Sequence, residues 1–166
     1  MALSEWSADR LAAALVYLVV SGSALWGGIG LINRSLETKF YKDYLVKWEL
    51  CVEAFAEKGG RWPEFTGNNH LNYMDQVVKR MKRLGIQPPR SNRVRPYTYR
   101  LDLLGKDPQE IFLLCFPARM VIFGMEERTF FKVDRYVDGR VGLKEGRFTG
   151  RRAKKAKTIT AQWRVE

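Results

Sequence analysis

The sequence predicts an α+β fold in which a long N-terminal helix, transmembrane and then amphipathic, packs on an antiparallel β-sheet, with a second short helix beside it. Three observations predict this. Residues 11–32 hold no charged side chain. Apolar residues then recur in steps of three and four from Leu36 to Phe55. Beyond residue 96 the pattern changes to short apolar runs separated by Gly, Pro and Asp, the signature of strands and turns.

The first run, LAAALVYLVVSGSALWGGIGLI, is 22 residues long. At about 1.5 Å per residue it reaches roughly 33 Å, matching a hydrocarbon core of about 30 Å. It reads as a retained span at 11–32, preceded by a leader at 1–10. A cleaved secretory signal fits less well, because signal cores are about 7–15 residues long and follow a basic segment. Here the leader sets Glu5 and Asp9 against Arg10. The second half of the run is rich in small residues. Ser23 and Gly27, like Ala24 and Gly28, lie four apart, so one helix face would let another helix come close.

Nothing between Ile32 and Leu36 breaks a helix, so the span is expected to run on into the amphipathic stripe. That stripe is Leu36, Phe40, Tyr41, Tyr44, Leu45, Trp48, Cys51, Val52 and Phe55, with charges on the other side. The stop is expected at Lys58, before Gly59-Gly60 and Pro63. Asn68 or Asn69 then caps a second helix. Its stripe is Leu71, Met74, Val77, Val78, Met81 and Leu84, and Gly85 closes it.

Strands are expected in YTYRLDLL, EIFLLCF, ARMVIFGM, RTFFKVDRYV and VGLKEGRF, joined as an antiparallel meander with a turn at Asp138-Gly139-Arg140. Ile111 to Phe116 is apolar at every position, which places that strand inside the sheet with both faces covered. ITAQWRV is expected as a final edge strand. The soluble domain then covers 33–150, and a basic C-terminal tail covers 151–166.

The net charge of +11 is concentrated. One cluster is Lys79, Arg80, Lys82 and Arg83; another is RSNRVR at 90–95; a third is Arg151, Arg152, Lys154, Lys155 and Lys157, expected to be a solvated connection. Such an excess suits anionic lipid, nucleic acid or an acidic protein surface. The first cluster also has a local explanation, since positive charge in a last turn complements the helix dipole. Tyr97, Tyr99, Phe130 and Phe131 would be the stacking rings if the partner were a single nucleic-acid strand, but their place in strands makes them core residues first. Cys51 and Cys115 fit no zinc spacing. They are either two buried thiols or one disulfide. His70 is the only histidine, and the sequence gives it no catalytic partner. No glycine-rich phosphate loop, His-Glu metal helix or serine nucleophile turn occurs. The sequence therefore predicts no enzyme, no cofactor and no metal.

An N-terminal membrane helix with an amphipathic extension, VEAFAEKGGRWPE at 52–64, and FFKVDRYVDGRVG at 130–142 together resemble the type IV pilin and type II secretion pseudopilin families. The resemblance covers nearly the whole chain in outline. It implies a structural subunit of a pilus-like or secretion-type envelope assembly, single-pass in a bacterial inner membrane, with its domain outside the cytoplasm. No Gly precedes the span and no acid lies within it, so the resemblance implies nothing about prepilin processing here. Charge points the other way on topology. Arg34, Lys39, Lys42 and Lys47 follow the span, and the positive-inside rule puts such a flank in the cytoplasm. The alternative is accordingly a membrane-anchored basic module facing the cytoplasm that binds anionic lipid or nucleic acid.

Overall fold

A computed structural model describes residues 8–153 and 158–165. The chain forms two compact units, Met1–Ser35 and Leu36–Glu166. Its backbone is helical without a break from Ala8 to Glu57, in three segments: α1 (Ala8–Lys39), a π-helical stretch (Phe40–Leu45) and α2 (Val46–Glu57). The π-helical stretch was not visible in the spacing. It turns the stripe so that Phe40, Tyr44 and Leu45 are all fully buried. Gly59 carries φ 66° just after the helix end, the left-handed conformation that a C-terminus favours. At Gly60 a side chain would strike the Phe55 ring.

The second unit is an α+β domain. It contains α3 (His70–Arg83), β1 (Thr98–Leu101), β2 (Gln109–Phe116), β3 (Arg119–Glu126), α4 (Glu127–Asp138), β4 (Phe148–Arg152) and β5 (Thr158–Arg164). The five strands form one antiparallel sheet in the order β1-β2-β3-β5-β4. Their register sorts the side chains onto two faces. One face presents Leu101, Ile111, Leu113, Cys115, Met120, Ile122, Phe148, Ala161 and Trp163, all buried. Against it lie Phe40, Tyr44, Leu45, Trp48, Val52 and Phe55 of the long helix, in the same buried cluster. Polar links fix the pose. Trp48 Nε1 donates to the Pro96 carbonyl at 3.3 Å, Glu37 pairs with Lys132, and Glu49 pairs with Arg147.

β1 accompanies β2 only to Phe112, where the Leu113 N–H still donates to the Tyr97 carbonyl at 2.8 Å. Beyond that point α3 replaces it. The Tyr73 hydroxyl donates to the Cys115 carbonyl at 2.8 Å, and the Cys115 N–H points at Met74 Sδ at 3.3 Å. Asn69 is the N-cap residue of α3, but its side chain holds the preceding loop. It accepts from the Thr66 N–H and donates to the Glu64 carbonyl, both at 3.1 Å. Leu71 and Leu84, expected on the apolar stripe, are exposed, and Tyr73 is buried instead.

Four expectations are corrected. RTFFKVDRYV is not a strand but α4. Its Thr, Phe, Val and Tyr residues favour strands, yet Phe130, Val133 and Val137 recur at helical steps, and Phe130 and Val133 are buried. Gly139, at φ 71°, ends that helix, so the Asp-Gly hairpin expected from 130–142 is absent. VGLKEGRF contributes only Phe148 to a strand. The final strand is not an edge: β5 lies between β3 and β4, and β4 is the edge. The connection β3–α4–β4–β5 therefore replaces a simple meander. Arg151 and Arg152 belong to β4, not to a solvated tail; Lys154, Lys155 and Lys157 lie outside the described residues.

Two carboxylates of α4 organise the loop that leads into β4. Asp138 accepts from the Arg147 and Phe148 N–H groups, both at 2.9 Å. Asp134 accepts from the Gly142 N–H at 2.6 Å. Leu143 in the same loop takes the Gly150 N–H at 2.7 Å. Asp134 is fully buried, and its Oδ1 has no hydrogen-bond partner among the described residues. Burial raises its pKa above the ordinary aspartate value, and the neighbouring Asp138 carboxylate adds to the shift.

Two predictions follow from this packing. Trp48→Ala and Phe55→Ala, each in a fully buried position, should cost about 3–5 kcal/mol in denaturant unfolding. A loss under about 1 kcal/mol at both would show that the stripe is not core. Asp134→Asn should raise stability relative to the wild type, increasingly so as pH rises. The native fold holds the Asp134 proton more tightly than the unfolded chain does. Wild-type stability from this group is therefore lost as pH climbs from the unfolded pKa through the raised folded one. Urea melts of both proteins across the acid range check this; parallel curves would refute it.

Candidate functional site

Two surfaces carry the functional information, one in each unit. The first is α1. Leu15, Val16, Tyr17, Leu18, Val19, Leu25, Trp26 and Leu31 are all exposed. A soluble chain rarely displays so much contiguous apolar surface. Among the described residues one helix, near the N-terminus, is long and apolar enough to cross a membrane. In hydrocarbon its backbone is satisfied internally, as any span requires. Ser23 donates its hydroxyl to the Val19 carbonyl at 2.8 Å, which removes a polar hydrogen from the apolar surface of the helix. Ser23, Ala24, Gly27 and Gly28 lie along this helix, and a side chain added at Gly27 or Gly28 would meet nothing within 4 Å. The small-residue face is thus open.

The second surface belongs to the sheet. Opposite the core, Phe112, Phe116 and Phe123 form an aromatic zone on β2 and β3. The connection into α3 partly covers it: Phe65 stands edge-on to Phe116 at 5.1 Å, and His70 lies 6.5 Å from Phe112 and 6.4 Å from Phe123. His70 is therefore a wedge among rings. Over β3, β5 and β4 the same face is open. A cleft of about 580 Å³ there is lined by Val121, Thr149, Gly150, Arg151, Thr160 and Gln162 among others, with no acidic residue.

The helix-end cluster is real, but part of it is engaged. The C-termini of α2 and α3 come together. There Lys58 Nζ donates to the Leu84 carbonyl at 3.0 Å and Arg80 donates to the Arg61 carbonyl at 2.6 Å. Arg61, Arg80 and Arg83 line a shallow cleft of about 410 Å³, while Lys79, Lys82 and Arg83 remain exposed. Lys58 thus serves a carbonyl that the end of α3 leaves unpaired, and Arg80 holds the loop that follows α2. This cluster and Arg151 with Arg152 occupy different elements. Tyr97 and Phe130 are fully buried in the core, and Tyr99 and Phe131 pack against it.

Cys51 and Cys115 are both free and buried. Burial pushes the Cys51 thiol up to about 11 and raises Cys115 as well, so neither is a ready nucleophile at neutral pH. Among the described residues no group of three His, Cys, Asp or Glu side chains could hold a metal ion. Sequence reading missed Arg119 and Arg164, which join Arg151 on the open sheet face. They stand alone in the chain rather than in a run, and only strand register brings them to one side. Compared with protein-family models, with curated proteins and with solved structures, the chain matches none.

The helix makes a direct prediction. Leu18→Asp combined with Leu25→Asp puts two charges in the uncharged run, at roughly 2.5–3.5 kcal/mol each near a bilayer centre. Carbonate-washed membranes should retain the wild type and release much of the double variant. Equal retention would show that something other than this helix holds the protein.

Proposed function

We propose that the chain is a single-span, membrane-anchored structural subunit of a pilus-like or secretion-type envelope assembly, without a catalytic role. The observation that carries this reading is the continuity of one helical backbone. It is uncharged and exposed over a bilayer's length, and its next turns supply the buried core of an α+β domain. A helix used this way carries an anchor and part of a domain core in one backbone element. The open small-residue face at Ser23, Ala24, Gly27 and Gly28 supports helix packing with other membrane subunits, and the resemblance to pilins and pseudopilins points to the same role in a bacterial inner membrane.

A second reading is favoured by one specific feature, the basic flank Arg34, Lys39, Lys42 and Lys47. Under it the domain faces the cytoplasm, and its basic clusters bind anionic lipid or nucleic acid.

One measurement separates the two. Both native cysteines are buried, and Val94 is fully exposed, so Val94→Cys adds a single accessible thiol. A membrane-impermeant maleimide should label it in intact cells with the outer membrane permeabilised. Labelling only after lysis would overturn the envelope-facing reading in favour of the cytoplasmic one. In the same background Gly27→Leu should reduce the size of the complex in mild detergent while leaving insertion unchanged; an unaltered complex would remove the helix-packing role.

A further inference from the structure

We propose that the open face of the sheet is a docking site for an extended acidic segment of a protein partner, gripped by Arg119, Arg151 and Arg164. This goes beyond the anchoring role and does not depend on which side of the membrane the domain occupies.

Pairing among the strand arginines carries the inference. Arg100 is held by Asp102 at 2.7 Å, and Arg152 is paired with Glu127. Arg119, Arg151 and Arg164 are exposed and have no carboxylate partner among the described residues. All three lie on the face opposite the core, as the register requires: Arg119 opposes Arg164, Val121 opposes Gln162, and Gln162 and Thr160 oppose Thr149 and Arg151. Like charges directly opposite each other weaken a strand pair. The Arg119–Arg164 juxtaposition is therefore a standing cost that an anion between the two guanidinium groups would relieve.

Spacing defines the shape of the ligand. Arg164 and Thr160 are four residues apart on β5, about 13 Å along the strand, and Arg151 sits beside Thr160. The site is thus an elongated strip of sheet face, with the cleft and Arg151 at one end and the Arg119–Arg164 pair beyond the cleft at the other. Thr149, Thr160 and Gln162 lie between them and offer hydroxyl and amide groups to a main chain. An extended peptide with acidic residues at alternate positions presents carboxylates on one side about 6.6 Å apart, so that every second one falls at about the arginine spacing. Guanidinium forks suit carboxylates in two-point contacts. Single-stranded nucleic acid fits less well, because it needs free rings for its bases. The cleft lining holds no ring, and Phe116, on the same sheet face, is already stacked beneath the Arg119 guanidinium at 5.0 Å.

The test uses the full chain in detergent micelles and a fluorescent octapeptide of alternating Glu and Thr, with a Gln-Thr octapeptide as control. Polarisation titrations compare the wild type with two triple variants of equal charge loss. One is Arg119→Gln, Arg151→Gln and Arg164→Gln; the other is Lys79→Gln, Lys82→Gln and Arg83→Gln. All six positions are exposed, and a thermal melt confirms that both variants are folded. The expected result is saturable binding of the Glu-Thr peptide that weakens about tenfold in the sheet-face variant and less than about threefold in the helix-end variant. Equal weakening in both variants, or none in the first, would overturn the site. So would an oligothymidine of the same length that binds more tightly than the peptide and is lost in the same variant, which would reassign the cleft to nucleic acid.

Discussion

Everything in the second unit depends on burying one aromatic stripe. Phe40, Tyr44, Trp48 and Phe55 are fully excluded from water, and each such side chain contributes about 1.5–3 kcal/mol relative to exposure. Their partners are the inward residues of the five strands and the rings of α4, with Phe130 stacked on Phe148 at 4.9 Å. Without the helix, the sheet would present an apolar face of Leu, Ile, Met and Trp to water. Without the sheet, the helix would carry a stripe too apolar for a solvated surface. The two elements are stable only together, so the segment that begins in α1 is the spine of the head rather than a tether.

The partly buried ion pairs act on orientation more than on stability. Glu37 and Glu49 sit on the helix, and their partners Lys132 and Arg147 sit on α4 and in the loop before β4. A buried pair gains little over an apolar pair of the same shape, but losing one partner strands a charge. A helix rotated about its axis, or slid by one turn, would break both pairs at once. They therefore select a single seating for an otherwise adaptable apolar contact.

Much of this was legible in the chain. The uncharged run, the stripe from Leu36 to Phe55 and the strands at 109–116 and 119–126 follow from composition and period, because each satisfies one strong periodic rule. The errors cluster where two rules compete. In α4, Phe130-Phe131 and the β-branched residues read as a strand, while Phe130, Val133 and Val137 trace a helix, and only packing onto Phe148 decides between them. The place of β5 inside the sheet could not be read at all, since strand order depends on the crossover through α4. The sheet-face arginines were hidden for the same reason: Arg119 and Arg164 are 45 residues apart, and pairing alone makes them neighbours. Of the basic run 79–83, conspicuous in the sequence, Arg80 is engaged with a loop carbonyl after α2.

The loop stitched by Asp134 and Asp138 has a consequence for crowding. Along the outer margin of β4, the Phe148 and Gly150 amides are already taken by Asp138 and by the Leu143 carbonyl. Exposed strand margins are where chains zip together by adding backbone to backbone. Were α1 to hold the chain in a membrane, its copies would meet at high effective concentration, where an unguarded margin would seed irreversible ribbons. By occupying those two amides from within, the loop blunts the first half of that margin, and neighbours approaching there must recognise side chains rather than bare backbone.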